Sequence, residues 1–196
     1  MNLTKEESGK TVLLKGQGYF SDFRLNSILK TIRDLGVKTD SIVCNEVYIV
    51  LFKDELKNIK EKEITTLNVI LNSNKDQSFS KENCFLITPR KGTISPWSSK
   101  AQDIIKNSGI NSLDRIERGL LYSLSTPTMI NLSQLKFLAE NLADRMTQSV
   151  FLNLDQISSF FYKHKKNSFK VIPLLNEGKK ALERADELLG LALNNS

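Results

Sequence analysis

The chain has 196 residues, 40% hydrophobic and 26% charged, with a net charge of +6. That composition fits one ordinary soluble domain, or one domain with an appendage, and the mild lysine excess permits an acidic partner without requiring one. Two cysteines exclude a disulfide scaffold, the polar stretch Met1 to Lys10 excludes a signal peptide, and the longest apolar run, Val47 to Phe52, falls far short of the roughly 20 residues a membrane helix needs, so a reducing cytosol is expected.

In chain order, Thr11-Val12-Leu13-Leu14 reads as a short strand, and Gly16-Gln17-Gly18-Tyr19-Phe20-Ser21, which begins like a dinucleotide loop but lacks its third glycine, reads as a turn between strand and helix. Ser21 is placed to cap a helix with Leu25, Ile28, Leu29, Ile32 and Leu35 at helical spacing, ended by Gly36. Ser41 to Phe52 is β-branched and aromatic, which predicts one long strand. Leu56, Ile59, Ile64, Leu67, Ile70 and Leu71 make a less regular helical stripe, and Asn72 to Lys81 is a polar loop. The order then repeats. Cys84 to Thr88 predicts a strand, and Ser99 to Asn107 a helix with Ser99 and Gln102 in capping-box spacing. Ser112 to Ser125 predicts a long strand with Ile116, Leu120, Tyr122 and Leu124 on one face. Ser133 to Leu152 predicts a helix with Leu135, Leu138, Leu142, Met146 and Val150 turned inward.

The expected fold class is therefore α+β, two tandem β-α-β-α units over residues 1–152 that cover each other's apolar surface. Residues 153–196 are expected to form a mostly helical linker region. Within it, Glu177 to Leu193 carries Ala181, Leu182, Ala185, Leu188 and Leu189 on one side.

Catalytic signatures are sparse. His164 is the only histidine, and no spacing arranges it with Cys44 or Cys84 as a nucleophile and base. No CxxC pair, no second histidine and no phosphate-loop motif is present, so no catalytic, cofactor or metal residue is assigned. Both cysteines lie in apolar stretches and read as small buried hydrophobes. Asp144 and Glu140, four apart, read as a solvated helix face. Phe160-Phe161-Tyr162-Lys163-His164-Lys165-Lys166 joins aromatics to lysines, and it is the basis of the alternative function, a phosphate- or nucleic-acid-binding module. Its other reading is a helix end with buried aromatics and solvated lysines. Ser95, Ser98 and Ser99 precede or open a helix, where free N–H groups favour anions, with Arg90 and Lys100 adding charge. A capped helix start with Pro96 in first position accounts for the same residues.

Ile87 to Ala101, with the order Thr-Pro-Arg-Lys-Gly-Thr-Ile-Ser-Pro-Trp-Ser-Ser-Lys-Ala from Thr88, resembles the "TPRPGTISPWSSKA" signature of large single-chain phosphoribosylformylglycinamidine synthases. Four further segments resemble that family in the same order. They are Phe20 to Arg24 at its first helix start, Asp114 to Tyr122 at its "RIERG" strand, Asp144 to Val150 at its "DRMTE" helix end, and Leu189 to Leu193 at its linker. Lys91 replaces the family's proline, and Lys106 to Gly109 stands where "HNCG" is frequent.

The resemblance implies an N-terminal accessory domain, similar to a fused pair of the small subunits of the split enzyme, and the start of a linker. It implies scaffolding and coupling, not catalysis, within an ATP- and glutamine-dependent ligase of purine biosynthesis. The partners implied are the enzyme's own synthetase and glutaminase domains, which would lie beyond this chain and use ATP and magnesium. Arg90, Thr93, Ser95, Trp97, Ser98, Ser99 and Lys100 are the expected inter-domain docking loop. No membrane partner is implied, nor is nucleic acid.

Overall fold

A computed structural model describes residues 10–73, 82–161 and 171–194. The chain divides into two compact units, Met1–Lys163 and His164–Ser196. The first contains β1 (Thr11–Gly18), α1 (Asp22–Asp34), β2 (Ser41–Phe52), a 3-10 turn (Leu56–Asn58) and α2 (Glu61–Leu71). There follow β3 (Cys84–Pro89), α3 (Pro96–Asn107), β4 (Leu113–Ser125), α4 (Leu132–Leu142), β5 (Gln148–Phe151) and a 3-10 segment (Leu154–Phe161). The strands form one sheet in the order β1-β2-β4-β3-β5, and every neighbouring pair is antiparallel.

The expected duplication is visible in this order. Thr11 and Cys84, Asp22 and Pro96, Ser41 and Leu113, Glu61 and Leu132 open equivalent elements and lie 73, 74, 72 and 71 residues apart. The equivalent strands β2 and β4 pair at the centre, and β1 and β3 flank them. This is the arrangement a two-fold axis through the sheet produces, near the Val47↔Gly119 pair.

Side chains alternate between the two faces of a strand. Ile42, Cys44, Tyr48, Val50 and Phe52 of β2 share a face with Ile116, Tyr122 and Leu124 of β4. That face receives all four helices. Ile28, Leu29 and Ile32 of α1 join Leu135, Leu138 and Ala139 of α4 in one cluster, while Leu67 and Leu71 of α2 join Ile105 of α3 in another. The opposite face carries Val47, Ile49, Leu86 and Leu121 and is covered by Leu154, Ile157, Phe160 and Phe161.

Several expectations change in detail. Residues 148–151 are strand, not the end of a helix from Ser133. The helix stops at Leu142, and Ala143 is extended at φ −92 and ψ 144. The Asp144 carboxylate then accepts from the Met146 N–H at 2.9 Å and the Thr147 hydroxyl at 2.7 Å, closing a turn. Those bonds hold the exposed carboxyl below its usual range. The outer edge of β3 has backbone groups to satisfy, and Val150 pairs with Ile87 there. Met146 is consequently 75% exposed and not inward-facing. Glu140 pairs with Lys136 and Asp144 lies in the turn, so the two do not share a helix face.

Gly16 lies within β1, in an irregular stretch between Lys15 and Gly18, and not in a turn. A Cβ there would lie 2.9 Å from the Tyr48 ring, so glycine lets β1 approach that ring closely. α3 begins at Pro96, three residues before the expected Ser99. Ser95 is its cap, accepting from the Ser98 N–H at 3.0 Å, and Gln102 Nε2 donates to Ser98 Oγ at 3.1 Å. The full capping box belongs instead to Asn131 and Gln134 of α4.

In the second unit, α5 (Leu174–Glu177) and α6 (Lys179–Leu189) replace the single expected helix Glu177 to Leu193. Gly178, at φ +57, breaks it and Gly190, at φ +62, ends it. Ala181 and Ala185 are buried within this unit, whereas Leu188 is 81% exposed. Among the described residues, no helix is long and apolar enough to cross a membrane.

Candidate functional site

The loop between β3 and α3 is built from inward-pointing hydroxyls and a buried carboxylate. Glu117 of β4 is fully buried. It accepts from the Ser95 N–H at 3.0 Å, the Ser95 hydroxyl at 2.7 Å and Arg115 Nη2 at 3.1 Å. The charge is therefore paired and hydrogen-bonded, the condition under which a buried carboxylate is tolerated. Arg115 also donates to the Thr93 carbonyl, and its guanidinium lies 5.8 Å and 5.2 Å from the Phe160 and Phe161 ring centres. Ser98 is buried and its hydroxyl donates to the Ile116 carbonyl. Lys91, the departure from the family pattern, donates through Nζ to Ser159 Oγ at 3.1 Å. The Arg90 N–H donates to the Thr147 carbonyl at 2.8 Å.

The structure thus divides the expected docking residues. Ser95 and Ser98 turn inward and hold the loop. Arg90, Thr93, Ser99 and Lys100 are exposed. Trp97 is half-buried. Its ring stacks on Tyr48 with centroids 5.8 Å apart and planes 17° from parallel. Arg118 lies 5.3 Å from the Trp97 centroid and 5.9 Å from that of Tyr19. The Arg118 Nη1 bonds Glu46 Oε1 at 3.0 Å, and the Tyr48 hydroxyl donates to Glu46 Oε2 at 2.8 Å. Burial, followed by the Glu46 hydrogen bond and charge, pushes the Tyr48 hydroxyl pKa up, so it stays protonated as a donor.

Two clefts flank Trp97. One, of about 280 Å³, is lined by Tyr19, Ser95, Arg118, Gly119 and the β5 start at Gln148. The other, of about 250 Å³, lies between α2 and α3 and is lined by Ile70, Leu71, Lys100 and Ile104. Gly119 has a packing reason, since a Cβ would meet the Ile87 carbonyl oxygen at 3.0 Å.

Sequence reading assigned no role to Glu46, Tyr48, Arg118, Tyr19, Arg115 or Glu117, although Arg115, Glu117 and Arg118 lie in its "RIERG" segment. A signal for two of them exists. Glu46 interrupts the apolar alternation Ile42-Cys44-Tyr48-Val50, and Arg118 interrupts Ile116-Leu120-Tyr122-Leu124, with opposite charge. Charges of opposite sign on the buried faces of two strands point to a cross-strand pair.

Cys44 and Cys84 are buried, as expected. Among the described residues, no group of three or more His, Cys, Asp or Glu is gathered as a metal shell. For the alternative reading, Phe160 is 0% and Phe161 8% exposed, so neither presents a ring face to a base, while Tyr162 to Lys166 lie outside the described residues. A family model described as formylglycinamide ribonucleotide amidotransferase N-terminal matches residues 45–161. The match begins within β2, ends with the 3-10 segment, and so includes the β3–α3 loop and Glu117.

Proposed function

The chain belongs to the formylglycinamide ribonucleotide amidotransferase N-terminal family, and from that premise we propose that it is a non-catalytic accessory segment of this enzyme of purine biosynthesis. The reaction is the one implied by the synthase resemblance. Formylglycinamide ribonucleotide becomes its amidine at the expense of ATP, with ammonia released from glutamine. ATP, magnesium and the glutaminase nucleophile belong to other domains of the enzyme, and the setting is the cytosol.

Ammonia made at one site must reach another without escaping to water, and an accessory domain can seal that route by fixing how the other domains sit. The observation that carries this reading is the division of the β3–α3 loop. Its inner groups are tied to Glu117 and to the Ile116 carbonyl, while Arg90, Thr93, Ser99 and Lys100 face outward. A loop fixed from behind and cationic in front is suited to contact a domain, since preformed surfaces lose less entropy on docking. Arginine and tryptophan are also the residue types that most often anchor such contacts.

The non-catalytic part is tested on the purified chain supplied with ATP, magnesium and glutamine. No ADP and no glutamate above the blank is expected. Turnover that disappears on replacing Cys44, Cys84 or His164 would refute it.

A further inference from the structure

The Glu46 carboxylate holds both residues that grip Trp97. Tyr48, whose ring stacks on the indole, donates its hydroxyl to Glu46 Oε2 at 2.8 Å. Arg118, whose guanidinium lies 5.3 Å from the indole centre, donates to Glu46 Oε1 at 3.0 Å. Glu46 and Tyr48 come from the first half of the duplication, and Trp97 and Arg118 from the second. The groups meet where β2 and β4 pair, beside the Val47↔Gly119 position. Glu46 is only 18% exposed at its side chain, so its interaction with Arg118 is screened less than a surface pair's.

We propose that Glu46 is the positioning residue for Trp97, setting its ring orientation between the two clefts from the opposite half of the domain. A half-buried indole on the first turn of a helix has more than one rotamer open to it. The stack on the buried Tyr48 ring and the cation–π contact select one, and the second depends on Arg118, which the Glu46 carboxylate aims. Removing Glu46 leaves the Tyr48 hydroxyl and the Arg118 guanidinium without their shared acceptor. The partly exposed Arg118 would then turn towards water and the indole would lose its cation–π contact, while the buried Tyr48 ring would keep its place and lose only its hydroxyl acceptor. The docking geometry of the second half's loop is in this way conditional on the first half. The role of Glu46 in the enzyme rests on the docking function proposed above. Its role in orienting Trp97 does not.

Trp97 is the only tryptophan in the chain, so its fluorescence reports this site alone. Glu46→Leu is expected to move the emission to longer wavelength and to raise acrylamide quenching by about two-fold, the scale a lost cation–π contact permits. Glu46→Gln keeps an acceptor oxygen and is expected to restore most of the wild-type signal. Arg118→Met, which keeps the aliphatic stem, should reproduce the Glu46→Leu change and serves if that variant does not fold. Asn131→Ala, which weakens the α4 cap away from the site, should leave Trp97 emission unchanged.

Wild-type emission and quenching in both Glu46→Leu and Arg118→Met would overturn the proposal. So would an equal shift in Asn131→Ala, because the signal would then report general loosening. In the full-length enzyme, a shifted Trp97 with unaltered glutamine-dependent amidation would sink the docking reading and leave the positioning role standing.

Discussion

At the scale of single residues, burial sets the chemistry of the titratable groups. Loss of solvent pushes the Cys44 thiol from its ordinary 9.0 up to about 12, with the Glu46 charge adding to the rise and the Tyr122 hydrogen bond opposing it. The native protein therefore keeps a proton that the unfolded chain releases. A raised folded value contributes stability that is fully present below the unfolded value and is lost as pH rises. Stability is expected to fall across pH 9 to 12, and Cys44→Ala should flatten that fall in a denaturant series. At neutral pH the thiol should resist alkylation until the domain unfolds. Labelling of the native chain at the rate of a free thiol would contradict this. The burial of both cysteines was legible in the sequence because they sit in apolar runs. The buried Glu117 was not, since a charged residue in a strand reads as solvent-facing until the Ser95 loop is seen to fold over it.

At the scale of elements, local rules located most segments and tertiary contacts moved their ends. The Ser41–Phe52 strand is where its β-branched run places it. The segment after Leu142 misled the helical reading because Leu142, Met146 and Val150 keep a helical spacing. Pairing with the free edge of β3 outweighs that spacing, as strand and helix preferences in short apolar runs are easily overridden.

Caps give a direct comparison between elements. Asn131→Ala removes one side-chain cap from α4 and should cost about 1 kcal/mol. Ser95→Ala removes a cap and also two-thirds of the donors that Glu117 receives if the loop shifts, so a larger loss, about 2–4 kcal/mol, is expected. Equal losses in urea denaturation would show that the Glu117 contact adds nothing.

The 3-10 segment makes a similar case. Phe160 is fully buried on the sheet face opposite the helices, and Phe160→Ala should cost about 3–5 kcal/mol. A change below about 1 kcal/mol would mean that the segment is not part of the core.

At the scale of the molecule, the duplication was readable because each half repeats the same order of apolar periods. The site between the halves was not, because it is assembled from β1, β2, α3 and β4 across a pairing that no local pattern encodes. The family motifs marked the loop and Arg118 but not Glu46, its partner across the strands. The second unit has an apolar groove of about 260 Å³ lined by Ala181, Ala185 and Leu188, three residues that the sequence placed on one side of a helix.

In the proposed coupling role, the half-buried Trp97 anchors the loop. Because Trp97 is only partly enclosed, Trp97→Ala should destabilise the chain by less than the roughly 3–5 kcal/mol that a core tryptophan would. The decisive measurement is the rate of amidation by full-length Trp97→Ala enzyme, driven once by glutamine and once by added ammonia. Coupling through the loop predicts a glutamine-driven rate lower by about ten-fold, equivalent to about 1.4 kcal/mol, with the ammonia-driven rate near wild type. Equal rates with both nitrogen sources at the wild-type level, or an equal fall in both, would contradict it.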